Sequence, residues 1–258
     1  MRVPDSTALL LLLLSLSLCV VARAQVVNIE RLRLDRREQG VTGSLAGNLD
    51  LRRNQRSVFS TGADAHVQLR RDSNVTLVVG KAGVVKASGA ELVNFAFAHL
   101  RYTHYVTDFL SLEAFTQLQQ NRVNGIASRW LVGVGPRGRL FDNPRGSLLA
   151  GLLVMRERER EVVDSIPVHR DVRLSAYLAG SYTPERASYV SFANTTYFQP
   201  RVGRFADIRI ASDWVVQVKL RDDLALTTTF NVVYDARPPV GLERTVYALS
   251  NGIRLTFG

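Results

Sequence analysis

The sequence predicts an all-β chain, an antiparallel transmembrane β-barrel of about twelve strands preceded by a cleaved signal peptide. Three observations predict it. The final stretch alternates: Tyr247, Leu249, Ile253, Leu255 and Phe257 are large and apolar, and Ala248, Ser250, Gly252, Arg254 and Thr256 stand between them. Period two gives a strand one greasy face and one polar or small face. The N-terminus carries an export signal. Mean hydropathy is +0.01, as expected when lipid-facing and lumen-facing residues alternate.

The leader occupies residues 1–24. Arg2 gives the positive start, Ala8 to Val21 is an apolar run, and Ala22-Arg23-Ala24 is a small-x-small cleavage site. The apolar run is shorter than the roughly 20 residues of a membrane-spanning helix. Cys19 is the only cysteine and leaves with the leader; Leu18 before it is too large for a lipidation site. The mature chain therefore starts at Gln25 without disulfides and is held by hydrogen bonding and burial, which a closed barrel supplies. Residues 25–39 form a polar periplasmic lead, and residues 40–258 form the barrel.

Each strand has its own pattern. In Gly40 to Arg52, Val41, Leu45, Leu49 and Leu51 oppose Thr42, Ser44, Asn48 and Asp50. In Ser57 to Arg70, Phe59, Ala63, Ala65, Val67 and Leu69 face out and Asp64, His66, Gln68 and Arg70 face in. In Asn74 to Lys86 the apolar run Leu77-Val78-Val79 leaves the parity open. The fourth strand is Glu91 to His104. In Phe109 to Asn121, Leu110, Leu112, Ala114 and Leu118 oppose Glu113, Gln117 and Gln119. In Ile126 to Leu140, Trp130, Val132 and Val134 oppose Arg129, Gly133 and Arg137. Phe141 to Gly146 reads as a turn, and Ser147 to Arg160 as the seventh strand. In His169 to Tyr182, Val172, Leu174, Ala176 and Leu178 oppose Arg173, Ser175 and Tyr177. The ninth strand is Ala187 to Gln199. In the tenth, Ile208, Ile210, Trp214, Val216 and Val218 oppose Asp207, Arg209, Asp213, Gln217 and Lys219. The eleventh is Leu224 to Asp235, with Leu226, Phe230, Val232 and Tyr234 outward.

Counted from a periplasmic start, the Val162–Val168 and Asp235–Leu242 loops fall outside. The Val106–Asp108, Thr183–Arg186 and Arg221–Asp223 turns fall inside. Long outside and short inside is the asymmetry of an outer-membrane barrel. Tyr102, Tyr105, Phe109, Phe141, Tyr182 and Tyr189 sit near the inner turns, where an interfacial girdle belongs. Alternation alone also fits a soluble exported sandwich, since any half-buried sheet has one apolar face.

Ser250, Gly252, Leu255 and Phe257 resemble the C-terminal assembly signal of bacterial outer-membrane proteins, which the barrel assembly machinery reads; Gly258 after the aromatic departs from that pattern. His99-Leu-Arg-Tyr102, Phe109 through Asn121 with Glu113 and Gln117, and Ser128 through Arg137 with Gly133-Val-Gly-Pro-Arg137 resemble the DUF481 family, the YdiY-like salt-induced outer-membrane proteins. The resemblance implies an outer-membrane barrel in a Gram-negative-type cell. It brings no activity, cofactor or catalytic residue.

The net charge is +10, and lysine occurs only at Lys81, Lys86 and Lys219. The arginines are spread over strand faces instead of forming one patch, which excludes a nucleic-acid partner. Arg156, Arg158 and Arg160 alternate with Glu157, Glu159 and Glu161, so the arginines share one face. They are candidates for contact with outer-membrane lipid and lipopolysaccharide phosphate, or else form a solvated strand end. Gly133-Val-Gly135-Pro-Arg-Gly138 matches a dinucleotide pattern but continues a strand where a helix would have to open, so its glycines read as bends. His66, His99, His104 and His169 show no metal-ligand spacing.

The lumen candidates are Arg129, Arg137, Arg173, Arg209, Lys219 and Arg254 against Asp64, Glu113, Asp207 and Asp213. They fit two readings. Either the charges pair across a narrow lumen and fill it, giving a structural or envelope-stress barrel, or a basic excess makes a small anion-preferring pore. An outer-membrane hydrolase is a third class, needing a nucleophile and base that converge in space. No enzyme, cofactor or metal is expected, and oligomeric state is left open.

Overall fold

The fold comes from a computed structural model that describes residues 39–53, 57–163, 168–221, 224–239 and 241–255. Residues 1–24 and nearly all of the lead lie outside these. So do Phe257 and the side chains of Arg254 and Leu255.

Twelve strands form one antiparallel sheet in chain order. They are β1 (Gly40–Arg53), β2 (Ser57–Arg71), β3 (Asn74–Ala87), β4 (Ala90–Tyr105), β5 (Leu110–Asn121) and β6 (Ile126–Asn143), then β7 (Gly146–Glu161), β8 (His169–Tyr182), β9 (Val190–Arg201), β10 (Arg204–Lys219), β11 (Leu224–Asp235) and β12 (Thr245–Leu255). Every neighbour in the sheet is a neighbour in sequence, so short connections suffice throughout. The sheet curls into a barrel. Residues on non-adjacent strands touch across its interior: Tyr177 of β8 reaches Glu113 of β5, and Arg209 of β10 reaches Glu159 of β7. β1 and β12 are the two ends of the ladder, and no pairing joins them among the described residues.

Burial is the reverse of a soluble protein's. The inward face buries Gln68, Arg101, Glu113, Arg129, Glu157, Arg173 and Arg209. The outward face exposes Leu45, Leu118, Val134, Leu178, Trp214 and Leu249. An apolar outer band around a polar interior is the distribution of a membrane barrel. The outward hydroxyls and amides pair with one another. Trp130 donates to Thr116 at 3.0 Å, Thr228 donates to Asn251 at 2.8 Å, and Asn194 and Thr196 both bond Ser212. In hydrocarbon an unmet polar group costs several kcal/mol, roughly.

Among the described residues the strand parities agree with the sequence wherever it fixed them. β3 resolves to Val75, Leu77 and Val79 inward, all buried. The turn expected at Phe141–Gly146 is only Pro144-Arg145, because β6 continues to Asn143. The Thr183–Arg186 turn is longer than expected. It runs to Tyr189 through a short 3-10 helix at Glu185–Ala187, and so equals the Val162–Val168 loop. The asymmetry between the two ends therefore rests mainly on the 236–244 loop. That loop crosses the mouth: Pro239 is buried, and a Cβ built on Gly125, in the β5–β6 turn, would lie 2.8 Å from it. Tyr102, Phe109, Phe141, Tyr182 and Tyr189 are exposed near the inner end. Tyr105 instead turns inward under the Arg70 guanidinium, 5.1 Å from its ring centre.

Candidate functional site

The inward faces of β4 to β11 build two buried ionic clusters with a packed belt between them. Register positions them. Arg129 lies directly opposite Glu159, and Arg209 directly opposite Asp235.

The cluster nearer the 236–244 loop centres on Glu157. Its carboxylate meets Arg129 at 3.0 Å and Arg173 at 2.9 Å, and also pairs with Arg209. Arg209 continues to Asp235 at 2.7 Å and Glu159 at 3.1 Å. Arg129 also pairs with Glu159. Arg173 donates to Asp207 Oδ1 at 2.9 Å and to the backbone oxygens of Gln199 and Asp207. Arg201 bridges Asp171 at 2.8 Å and Asp207 at 3.6 Å, and Arg237 of the mouth loop approaches Asp207 at 3.9 Å. Five arginines (129, 173, 201, 209, 237) thus face five carboxylates (Asp171, Glu157, Glu159, Asp207, Asp235), and the cluster is electroneutral. Planar guanidinium forks can serve several carboxylates each, and buried charge is tolerated only when so completely paired.

The second cluster lies toward the other end. Glu113 accepts hydrogen bonds from Arg101 at 3.0 Å, Tyr177 at 2.9 Å and Thr103 at 3.3 Å, with Arg137 at 3.7 Å. Arg101 also rests over the Phe115 ring. Such a carboxylate is pinned by its donors and is not aimed at an open cleft.

Between the clusters, His99 stacks on Phe97 and on Phe115 and pairs its Nδ1 with Gln117 at 3.1 Å. Phe115 lies over Gly133, and Tyr177 over Gly151, each directly opposite in the ladder. A Cβ at Gly133 would come within 2.4 Å of the Phe115 ring. Both glycines are seats for aromatic rings; of the glycines read as bends, Gly133 is such a seat, whereas Gly135 instead lies against the Leu152–Leu153 backbone. Leu153, Tyr177, Tyr197, Ala211 and Val233 complete the belt. Within the belt lies a cavity of about 40 Å³ against Leu131, Met155 and Ser175, room for a water or two.

The structure brings six of the ten predicted lumen charges into the clusters: Arg129, Arg137, Arg173, Arg209, Glu113 and Asp207. Asp64 stays apart with Lys81 at 3.5 Å. Asp213 accepts a bond from Asn231. Lys219 is exposed at the last position of β10. Arg254 pairs through its backbone with Ala225. Glu157, Glu159, Asp235 and Arg101 were not among the predicted lumen charges. One signal pointed to the glutamates: if Arg156, Arg158 and Arg160 face out, period two sends Glu157 and Glu159 in. The arginines do face out and are exposed. Ser250 and Gly252 lie exposed on β12.

The chain belongs to DUF481, a family described as protein of unknown function, whose model matches residues 42–257. No curated protein matches the sequence. Among solved structures, it is similar to the NanC porin in a rhombohedral crystal form, at 10% identity and a TM-score of 0.44, covering 81% of this chain and 100% of that one. It is similar to a bacterial polysaccharide outer membrane secretin at 12% identity and a TM-score of 0.46, covering 84% and 81%. It is also similar to the KdgM porin in complex with disordered oligogalacturonate, at 10% identity and a TM-score of 0.39, covering 83% and 100%.

Proposed function

We propose that this DUF481 barrel resides in the outer membrane as a structural, non-conducting element whose lumen is sealed by its own ion pairs. One observation carries the reading. The Arg129–Arg173–Arg209 and Glu157–Glu159–Asp207–Asp235 cluster ties together β6, β7, β8, β10 and β11 across the interior. An ion passing through the cluster has to displace a buried guanidinium–carboxylate pair, and removing one partner of such a pair costs about 3–5 kcal/mol. Within that cluster the arginines 129, 173, 201, 209 and 237 meet as many carboxylates, so no basic excess faces an ion at that level. An outer-membrane role in envelope stress is compatible with a sealed wall. The reading contains no catalytic step.

The pore reading keeps one foothold. The inward positions Ser44, Ala46, Asn48 and Asp50 of β1 are exposed, so the interior is less filled beside that strand. Planar-bilayer recording of the folded mature protein separates the two. Silence is expected; steady steps in most insertions overturn the sealed reading, and selectivity altered by Asp64→Asn would place the path beside β1.

A further inference from the structure

We infer that the outward face of β7 and β8 binds the phosphates of a phosphorylated glycolipid, and that an adjoining trough on the barrel's outer wall takes one of its acyl chains. The inference rests on the outer-membrane placement proposed above.

The outward face is nearly free of charge along its strands. The exception is one cluster. Arg156, Arg158 and Arg160 point outward from β7, and Arg170 of β8 stands directly opposite Arg158. Like charges directly opposite on a sheet repel. Among the described residues no carboxylate lies within ion-pair distance of these four, because Glu157 and Glu159 turn inward to the sealed cluster. Four adjacent guanidinium groups with no anion of their own among the described residues call for an external one.

Their height says which. β7 starts at Gly146, and a membrane strand crosses the hydrocarbon in roughly 9–11 residues. Counting from that end brings the chain to about Met155, so Arg156, Arg158 and Arg160 begin where the hydrocarbon ends, at the level of lipid phosphates. Arginine's planar fork suits a phosphate monoester, which it can engage with two parallel hydrogen bonds.

The trough adds the apolar half. It is an open groove of about 1200 Å³ running along the outer wall from β1 to β7. Its floor is made of small outward residues, among them Ala65, Gly80, Ala82 and Ala98. Leu118 and Trp130 stand beside Arg158 and Arg160 at its end. In the ladder, Ala65, Gly80, Ala98, Leu118, Trp130 and Arg158 occupy successive paired positions from β2 to β7. A floor of small side chains, followed by apolar Leu118 and Trp130 and then by arginines with no carboxylate partner among the described residues, matches an amphiphile with an acyl tail and an anionic head.

The test uses the mature barrel folded in detergent and diphosphoryl lipid A, with binding read by native mass spectrometry. The wild-type protein is expected to retain one lipid A. R158Q/R170Q is expected to bind at least tenfold more weakly, and so is A98W, which fills the trough. The lysine variant R158K separates the arginine fork from charge alone and should also weaken binding. A heat-dependent electrophoretic shift establishes that each variant is folded. Unchanged lipid A binding by R158Q/R170Q overturns the proposal. Unchanged binding by A98W, or complete displacement of lipid A by inorganic phosphate, overturns the acyl trough and leaves a bare anion patch. Because binding is read in detergent, its failure does not touch the conductance result, and a conducting lumen does not touch the lipid site.

Discussion

Glu157 is the residue on which the sealed cluster depends most. It is 1% exposed and serves three arginines, Arg129, Arg173 and Arg209. Glu157→Gln keeps the shape and removes the shared anion. The expected loss is about 3–5 kcal/mol, because three guanidinium groups stay buried and undercompensated. Glu161→Gln removes, among the described residues, an ion pair with the half-exposed His169 alone and should cost under about 1 kcal/mol. Denaturant midpoints of the two variants in lipid bilayers check the contrast; equal midpoints would mean that the cluster does not hold the barrel together. Period two made the inward arginines legible at this scale, since Arg173 and Arg209 sit between apolar neighbours and Arg129 opposes the Trp130, Val132 and Val134 face. Which carboxylate each one meets was not legible. Arg173 meets Asp207 from two strands away, and such a meeting is fixed by how the sheet closes and not by any spacing in the chain.

Within the strands, cross-strand pairs of an aromatic over a glycine set the packing. Gly133 and Phe115 face each other directly, and so do Gly151 and Tyr177, and Gly83 and Phe95. A methyl at Gly133 would meet the Phe115 ring at 2.4 Å and Met155 Cβ at 3.1 Å. Gly133→Ala is expected to cost about 1–3 kcal/mol through overpacking, and Phe115→Ala about 3–5 kcal/mol through the void it leaves. The double variant should cost less than the sum, because the added methyl enters space the ring has vacated. A thermodynamic cycle on unfolding midpoints checks this, and strict additivity would show that ring and glycine do not share that space. The elements themselves were largely legible, with β5, β8, β10 and β11 alternating cleanly. β3 was not, because Val75, Leu77 and Val79 fill the interior while Val78 faces outward, so both faces are apolar and the period disappears. The β6–β7 turn is shorter than its composition suggests: Phe141-Asp-Asn-Pro has turn composition, yet the strand runs on past Phe141 and bends back only at Pro144-Arg145.

The molecule as a whole turns on the inversion of inside and outside, and its two tryptophans report on it directly. Trp130 and Trp214 are the only ones in the chain, and both point outward, 48% and 53% exposed in the absence of lipid. Trp130 lies four residues into β6 from its Ile126 end, and Trp214 five residues before the Lys219 end of β10. These ends are opposite rims, so each indole sits a short way inside one membrane interface, the position tryptophan favours. In bilayers whose acyl chains carry bromine, the emission of both should fall sharply, more with bromine at shallow carbons than near the bilayer centre. Acrylamide in the water should have little effect on either. W130F and W214F resolve the two signals. A soluble β-sheet protein with the same alternation predicts the reverse, since its apolar face would turn inward and leave no indole for lipid to reach. Strong acrylamide quenching with no response to bromine would therefore remove the membrane placement, and with it the sealed lumen and the lipid site on β7 and β8. The alternation of side chains, and with it the apolar outer face of a barrel, was visible in the sequence. Alternation alone also fits a soluble sandwich with its apolar face turned inward; the buried arginines of the interior and the locally paired hydroxyls of the outer wall are what a sandwich would not have.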